Sequence, residues 1–176
     1  MIRTLALIAV VALGALLLYA ATRPDTLRVE RSLRIDAPPD TLQPLINDLH
    51  AFNTWNPYNR KDPLMKGSYR GPSAGPGAAF DFDGDKNVGK GTISIVAPRG
   101  PGMVSMTLDM HAPMEAHNNV DFHLVPQGSA TQVTWAMQGA SPFIGKLMGI
   151  FIDMDKMIGA DFEAGLANLK TIAERR

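Results

Sequence analysis

The side chains that most often carry chemistry are sparse in this sequence and poorly spaced for it. Cysteine is absent, which excludes a disulfide, a zinc–thiolate site and a cysteine nucleophile. His117 and His123 share one strand parity but lie about 20 Å apart at ~3.3 Å per residue, too far for one metal ion. No serine has the G-x-S-x-G context of a hydrolase. We therefore predict no metal site, no cofactor and no catalytic residue.

Two glycine-containing segments have part of the pattern of a ligand-binding loop. Asp81-Phe82-Asp83-Gly84-Asp85 has the acidic spacing of a calcium loop, but Thr92 stands where that loop needs a bidentate glutamate. Residues 84–90 have the spacing of a phosphate loop, but Gly91 replaces the serine or threonine that binds magnesium, and a strand follows instead of a helix. We interpret both as a hairpin with acidic, solvent-facing side chains.

Three polar residues are candidates for a role inside a pocket. Asn118 has the strand parity of apolar Val120 and Phe122, so its amide is predicted to point inward, toward a ligand or a neighbouring backbone group. Asp155 borders the apolar stripe of a predicted helix and is a second group able to reach a pocket. With His117, these residues are the candidates for acid–base chemistry, and the pattern assigns none of them that role.

The composition suits one folded domain without a nucleic-acid partner. Of 176 residues, 45% are hydrophobic and 19% charged, with 17 Lys plus Arg against 17 Asp plus Glu. This balance provides no basic excess for nucleic acid. Beyond an apolar N-terminal segment, roughly 150 residues remain, a usual size for a single domain.

The N-terminal segment is predicted to anchor the chain in a membrane. Residues 4–22 carry no charge, and a helix of that length spans about 28 Å, close to the hydrocarbon thickness of a bilayer. We assign residues 1–23 to a single transmembrane anchor and residues 24–176 to the soluble domain. A cleaved signal peptide is the alternative, with a weak small-x-small pattern at residues 20–22. Arginines on both flanks leave the side of the membrane open.

The soluble part begins with a strand and a helix. Residues 27–36 alternate apolar and polar side chains, with Arg31 as the exception on the apolar parity. Ala37-Pro38-Pro39-Asp40 indicates a helix start, and that helix is predicted to end near residues 50–53, before a polar loop over residues 53–59. Six short strands follow: residues 66–70, 78–83, 88–97, 103–110, 115–125 and 131–139.

The C-terminal part changes to a helical period. From Pro142 to Arg176, apolar side chains recur every three or four residues, which predicts one long amphipathic helix, bent near Gly159 or Gly165. Together the elements predict an α+β fold in which a curved antiparallel sheet wraps around this helix. One helix does not fill a curved sheet completely, so we expect a cavity between them.

The order of these elements resembles the START-like, or SRPBCC, superfamily, in particular its polyketide cyclase/dehydrase-type branch. The resemblance spans residues 27–174 and is carried by short motifs in a fixed order: the first strand running into Ala37-Pro38-Pro39, Trp55-Asn56-Pro57, residues 115–118 with 122–126, residues 128–135, and the helix from Gly145. It implies a helix-grip fold with a deep hydrophobic pocket. It implies no single reaction.

We therefore predict a membrane-tethered protein that binds a small hydrophobic molecule, a lipid, an isoprenoid or a polyketide-like compound. The predicted ligand contacts are Trp55, Phe80, Phe82, Met106, Asn118, Trp135, Met137 and Asp155. For the aromatic and methionine side chains, ordinary core packing is the competing interpretation. Two other functions stay open at this point: a polyketide cyclase or dehydratase-like enzyme, and a protein-interaction or stress-response module without a ligand.

Overall fold

The computed structural model describes residues 2–175, which form six helices and seven strands. The helices are α1 (Ile2–Ala21), α2 (Pro39–Asn47), α3 (Leu49–Trp55), α4 (Tyr58–Lys61), α5 (Phe143–Phe151) and α6 (Met154–Ala173). The strands are β1 (Thr26–Ile35), β2 (Lys66–Arg70), β3 (Ala79–Asp83), β4 (Lys90–Val96), β5 (Met103–Ala112), β6 (Ala116–Gln127) and β7 (Ala130–Ala140).

The strands form one antiparallel sheet in the order β1-β7-β6-β5-β4-β3-β2. The six strands predicted after the first helix correspond to β2–β7, and β1 closes the order by pairing with β7, with Thr26 opposite Ala140. Helix α6 packs on the inner face of this sheet, along β1 and β7. The predicted α+β, helix-grip arrangement is thereby confirmed.

Strand parity places the apolar side chains on the inner face, as expected. Val120, Phe122 and Leu124 of β6 are buried, whereas the residues between them are partly exposed. Arg31, the exception in β1, also lies on the inner face. Its charge is tolerated there because α6 provides carboxylates that pair with it. Its guanidinium forms ion pairs at 2.9 Å with both Asp155 and Glu163 of α6, so the charge is compensated where it faces the helix.

The predicted first helix is two helices. Asp48 has extended backbone dihedral angles, and its side chain accepts hydrogen bonds from the backbone N–H groups of His50 and Ala51. This cap ends α2 and starts α3, because it satisfies amides that a continuous helix would bond internally. The polar segment after it, predicted as a loop, also contains the short helix α4.

The predicted long C-terminal helix is two helices, interrupted at Ile152–Asp153, and the second of them, α6, continues through Gly159 and Gly165. Asp153 accepts a hydrogen bond from the backbone N–H of Lys156 at 2.9 Å and caps α6. The two glycines lie inside α6 and are buried. They leave room for neighbours: a Cβ at Gly159 would lie 2.0 Å from Arg31 Nη2.

An aromatic cluster joins α3, the sheet and α6 at the centre of the domain. Trp55 makes edge-on contacts with Phe52, Phe122 and Trp135, at ring-centroid distances of 4.8, 5.9 and 5.8 Å. Trp135 in turn stacks on Phe162 of α6 at 4.2 Å. Since such rings carry large buried areas, this cluster is a major contributor to the stability of the domain.

Gly165→Ala is expected to lower the free energy of unfolding by about 1–3 kcal/mol, because overpacking of a close contact is destabilising. The added Cβ would lie 2.6 Å from Trp135 Cζ3 and 3.1 Å from Pro57 Cδ. Gly149→Ala in α5 is the matched control, since a Cβ there meets nothing within 4 Å and helix propensity alone favours alanine by up to about 1 kcal/mol. Chemical denaturation of both variants in detergent measures the difference, and equal stabilities would contradict the close packing of α6.

Helix α1 is long and apolar enough to cross a membrane. By length and composition it fits a membrane-spanning segment or a signal sequence. Ala20 is its one buried residue among those described, so α1 does not serve as a core helix of the domain.

Candidate ligand-binding site

A large cavity lies between the inner face of the sheet, α5 and the first part of α6. Its volume is about 1290 Å³. Its deep wall is apolar and drawn from five strands and one helix: Phe80, Ile93, Leu108, Val120, Met137 and Phe162. The charged side chains Lys86, Glu115 and Asp155 reach the cavity from exposed positions at its rim, and the largely buried Lys146 is paired with Asp25. Such a space suits an apolar molecule with few polar groups.

Six of the eight predicted contact residues lie on the cavity wall, and two do not. Those on the wall are Phe80, Phe82, Asn118, Trp135, Met137 and Asp155. Trp55 and Met106 are outside it and fully buried in the core. Trp55 is fixed there by its indole N–H, which donates to the backbone carbonyl of Leu45 at 2.8 Å. For these two residues the structure favours the core interpretation.

Asn118 brings an amide to the wall of the cavity. It lies opposite Gly139 in the register of β6 and β7, and a Cβ at Gly139 would lie 2.0 Å from Asn118 Oδ1. The glycine therefore leaves the space that the amide occupies. The amide provides both hydrogen-bond donors and an acceptor.

Trp135 contributes an indole N–H that has no hydrogen-bond partner among the described residues. Its ring is held between Phe162, on which it stacks, and the close approach of Gly165. A buried donor without a partner is costly, because folding removes its water without replacing it. Because this nitrogen is buried, it does not face the open cavity, and Trp135 contributes its ring to the wall and not its donor.

Tyr58 is a cavity residue that strand and helix patterns did not single out. Burial, together with the nearby Asp161 carboxylate, raises the pKa of the phenol above its ordinary value. Asp161 also binds Lys61 Nζ at 2.7 Å. Tyr58 is thus a neutral hydroxyl held at the cavity wall. The one sequence signal for it was its place directly after Trp55-Asn56-Pro57.

Asp155 lies at the rim with its carboxylate occupied by Arg31. The hydrogen bond and charge of Arg31 hold the pKa of Asp155 below its ordinary 3.8. This leaves the carboxylate ionised at neutral pH and engaged in joining α6 to β1. It is therefore a poor general base for cavity chemistry.

Asp155→Asn is expected to reduce stability at neutral pH, and the reduction is expected to disappear in acid. A carboxyl whose pKa is lowered by folding contributes stability above its unfolded pKa, near 3.8, and loses it as the pH falls through the lower folded pKa. The free energy of unfolding of both proteins, measured from pH 7 downward, should converge below pH 3.8. A difference that stays constant throughout would show that the ion pair does not contribute.

The remaining acid–base candidate, His117, lies away from the cavity. It is exposed on the outer face of β6, where its Nδ1 is hydrogen-bonded to the carboxylate of Asp109 on β5. Within residues 2–175, no cluster of three or more His, Asp or Glu side chains could hold a metal ion.

The rim of the cavity is formed by α5 and two turns of the sheet. One is the β3–β4 turn at residues 86–89, and the other is the β5–β6 turn at residues 113–115. Arg23 and Pro24, directly after α1, also reach the rim. The cavity entrance is therefore next to the C-terminal end of α1.

Solved structures with this fold are distant in sequence. Norcoclaurine synthase from Thalictrum flavum, solved with dopamine and hydroxybenzaldehyde, superposes with a TM-score of 0.62 at 12% identity, over 90% of this chain and 92% of that one. Major latex-like protein 151 from Panax ginseng superposes with a TM-score of 0.61 at 10% identity, over 86% of this chain and 100% of that one. A Thermobifida fusca protein superposes with a TM-score of 0.58 at 21% identity, over 83% of this chain and 92% of that one. These likenesses concern the fold alone.

Comparison of sequences identifies the family. No curated protein matches the chain. Residues 26–174, nearly all of the chain after α1, match the family model described as polyketide cyclase / dehydrase and lipid transport. The chain therefore belongs to the polyketide cyclase/dehydrase and lipid transport family of the START-like (SRPBCC) superfamily.

Proposed function

We propose that the chain is a membrane-tethered binding protein for a small hydrophobic molecule, such as a lipid, an isoprenoid or a polyketide-like compound. The observation that carries this proposal is the cavity of about 1290 Å³ with an apolar deep wall. A well-formed apolar cavity with a few polar groups is typical of a ligand site. Asn118 and Tyr58 are the polar groups that would orient the molecule.

The chemistry of the wall favours binding over catalysis. A cyclase or dehydratase needs an acid or base that contacts the substrate and exchanges a proton near neutral pH. Asp155 is held ionised by Arg31, and the raised pKa of Tyr58 keeps it protonated. These groups would select and orient a ligand. Catalysis by proton transfer would instead need a group that gains and loses a proton near neutral pH.

Tethering by α1 supports the same function. A molecule dissolved in the bilayer is concentrated there, and an anchored domain stays within reach of it. The entrance of the cavity is beside Arg23 and Pro24, at the end of α1. A tethered protein would therefore hold its entrance near the source of the ligand.

Native mass spectrometry of the full-length protein in detergent tests the proposal. We expect a stoichiometric apolar adduct, which denaturing extraction releases for identification by small-molecule mass spectrometry. Detergent exchange controls for bound detergent, since a true ligand keeps its mass when the detergent changes. A ligand-free mass that persists after incubation with lipids and polyketides would reject the binding function and favour a protein-interaction module.

The same spectra test the tether. An intact mass that includes residues 1–23, measured on protein extracted from membranes, is expected for an anchor. A mass that begins near residue 23 would identify α1 as a cleaved signal peptide.

A further inference from the structure

Helix α5 is an apolar helix without a place in the core. None of its nine residues, FIGKLMGIF, is buried, and Lys146 is its one charged side chain. Ile144, Met148, Phe151 and the following Ile152 recur at the spacing of one helix face, with Ile144 52% and Phe151 72% exposed. A contiguous apolar face of this kind marks a surface that is covered in the working protein.

The position of α5 is fixed by the end of α1. Arg23 donates a hydrogen bond from Nη2 to the carbonyl of Gly149, in the last turn of α5, at 3.3 Å. Lys146 forms an ion pair with Asp25, and the backbone N–H of Ser141 donates to the carbonyl of Asp25 at 2.7 Å. These contacts hold α5 against the segment that directly follows α1, and α5 also contacts α1 itself. If α1 spans a bilayer, this segment lies at the bilayer surface, and α5 lies there too.

The exposed face of α5 is also the rim of the cavity. Ile144, Met148 and Phe151 are each exposed and on the cavity wall. Across the entrance, the β5–β6 turn adds Met114, which is exposed as well. The apolar surface is therefore continuous from the rim into the cavity.

We propose that α5 inserts its apolar face into the bilayer that α1 spans, so that the cavity opens directly onto lipid. This inference rests on the proposed membrane tether. A lipid surface is the occupant that fits, because the face is apolar and adjoins an apolar helix. The charge of Lys146 is paired with Asp25, so the apolar face, and not attraction to anionic lipid, drives insertion.

Site-specific labelling tests the position of α5. Because the chain has no cysteine, Phe151→Cys provides one attachment site for an environment-sensitive nitrobenzoxadiazole label. Ser129→Cys is the matched control. It is exposed in the β6–β7 turn, at the end of β7 away from α5 and about 30 Å from it at ~3.3 Å per residue. Both full-length proteins are reconstituted into phosphatidylcholine vesicles.

We expect nitroxide-labelled lipids to quench the label at position 151 and not at position 129. Reduction by aqueous dithionite should be at least about tenfold slower at position 151, as it is for groups below the lipid headgroups. Equal access of water to both labels would overturn the inference. So would a label at position 151 shielded from both quenchers, since that result indicates that the cavity or another protein, and not lipid, covers this position.

The result is separable from the binding function. A ligand adduct in detergent together with a water-exposed position 151 would reject bilayer insertion alone. An empty cavity together with a lipid-exposed position 151 would reject the binding function and leave α5 as a membrane-docking helix. Repeating the assay with anionic lipid added should leave the quenching unchanged, and a strong dependence on anionic lipid would overturn the apolar mode of insertion.

Discussion

Replacing Trp55 with alanine is expected to lower the free energy of unfolding by about 3–5 kcal/mol, the usual cost of removing a large buried aromatic side chain. Trp55 is fully buried and contacts Phe52, Phe122 and Trp135 within 6 Å between ring centroids. Its loss leaves a cavity in the centre of the domain. It also removes the donor to the carbonyl of Leu45.

Urea denaturation of the full-length protein in detergent, followed by circular dichroism, measures this effect. Trp55→Phe is the informative partner variant, because it retains an aromatic ring and loses the hydrogen bond, which contributes about 1 kcal/mol. We expect its stability to lie between those of the wild type and the alanine variant. An alanine variant of nearly unchanged stability that no longer binds ligand would instead make Trp55 a ligand contact.

Filling the cavity is expected to abolish most ligand binding while the domain stays folded. Leu108→Trp combined with Met137→Trp adds two indole rings to the deep wall of the cavity. We expect the ratio of ligand-bound to free protein to fall at least tenfold, which corresponds to about 1.4 kcal/mol of binding free energy. Native mass spectrometry of the two proteins under one set of conditions provides the ratio.

The matched control uses the neighbouring residues on the same two strands. Thr107→Trp with Gln138→Trp places the same rings on the outer face, because side chains alternate along a strand. This variant should bind as the wild type does. If both double variants retain full occupancy, the ligand lies elsewhere and the cavity assignment is wrong.

The strands could be predicted because their side chains alternate so regularly. In β6, for example, the parity of Val120 and Phe122 indicated the inner face directly, and both are buried. The exception was informative too. Arg31 broke the pattern in β1, and its reason, two carboxylates on α6, becomes visible only when strand and helix are placed together.

The helix interruptions could not be predicted from periodicity. At Asp48 and Asp153 one helix ends and the next begins. In each case the aspartate side chain accepts hydrogen bonding from backbone N–H groups in the first turn of the next helix. The apolar spacing of the sequence continues across both helix interruptions, so periodicity alone does not reveal them. An aspartate in a helical pattern is compatible with a cap or with a solvent-facing position, and tertiary packing decides between the two.

Strand parity predicted which residues lie on the inner face of the sheet, but not which of them border the cavity. Met106 and Leu108 share one parity of β5, yet Met106 is fully buried and Leu108 borders the cavity. The difference depends on which helix covers each side chain. The pattern identifies which face is apolar, but the gap between α5 and α6 determines which part of that face remains open.

The pairing of β1 with β7 has a consequence for how the protein is made. Thr26 lies opposite Ala140, so β1 cannot form its strand pair until β7, the last strand in the sequence, has been synthesised. Contacts between distant segments form slowly, because the whole intervening chain must be ordered to close them. During synthesis, β1 emerges directly after α1 and stays unpaired until nearly all of the domain has been made. We therefore expect folding to be largely post-translational, with a chain truncated before Ala130 remaining protease-sensitive.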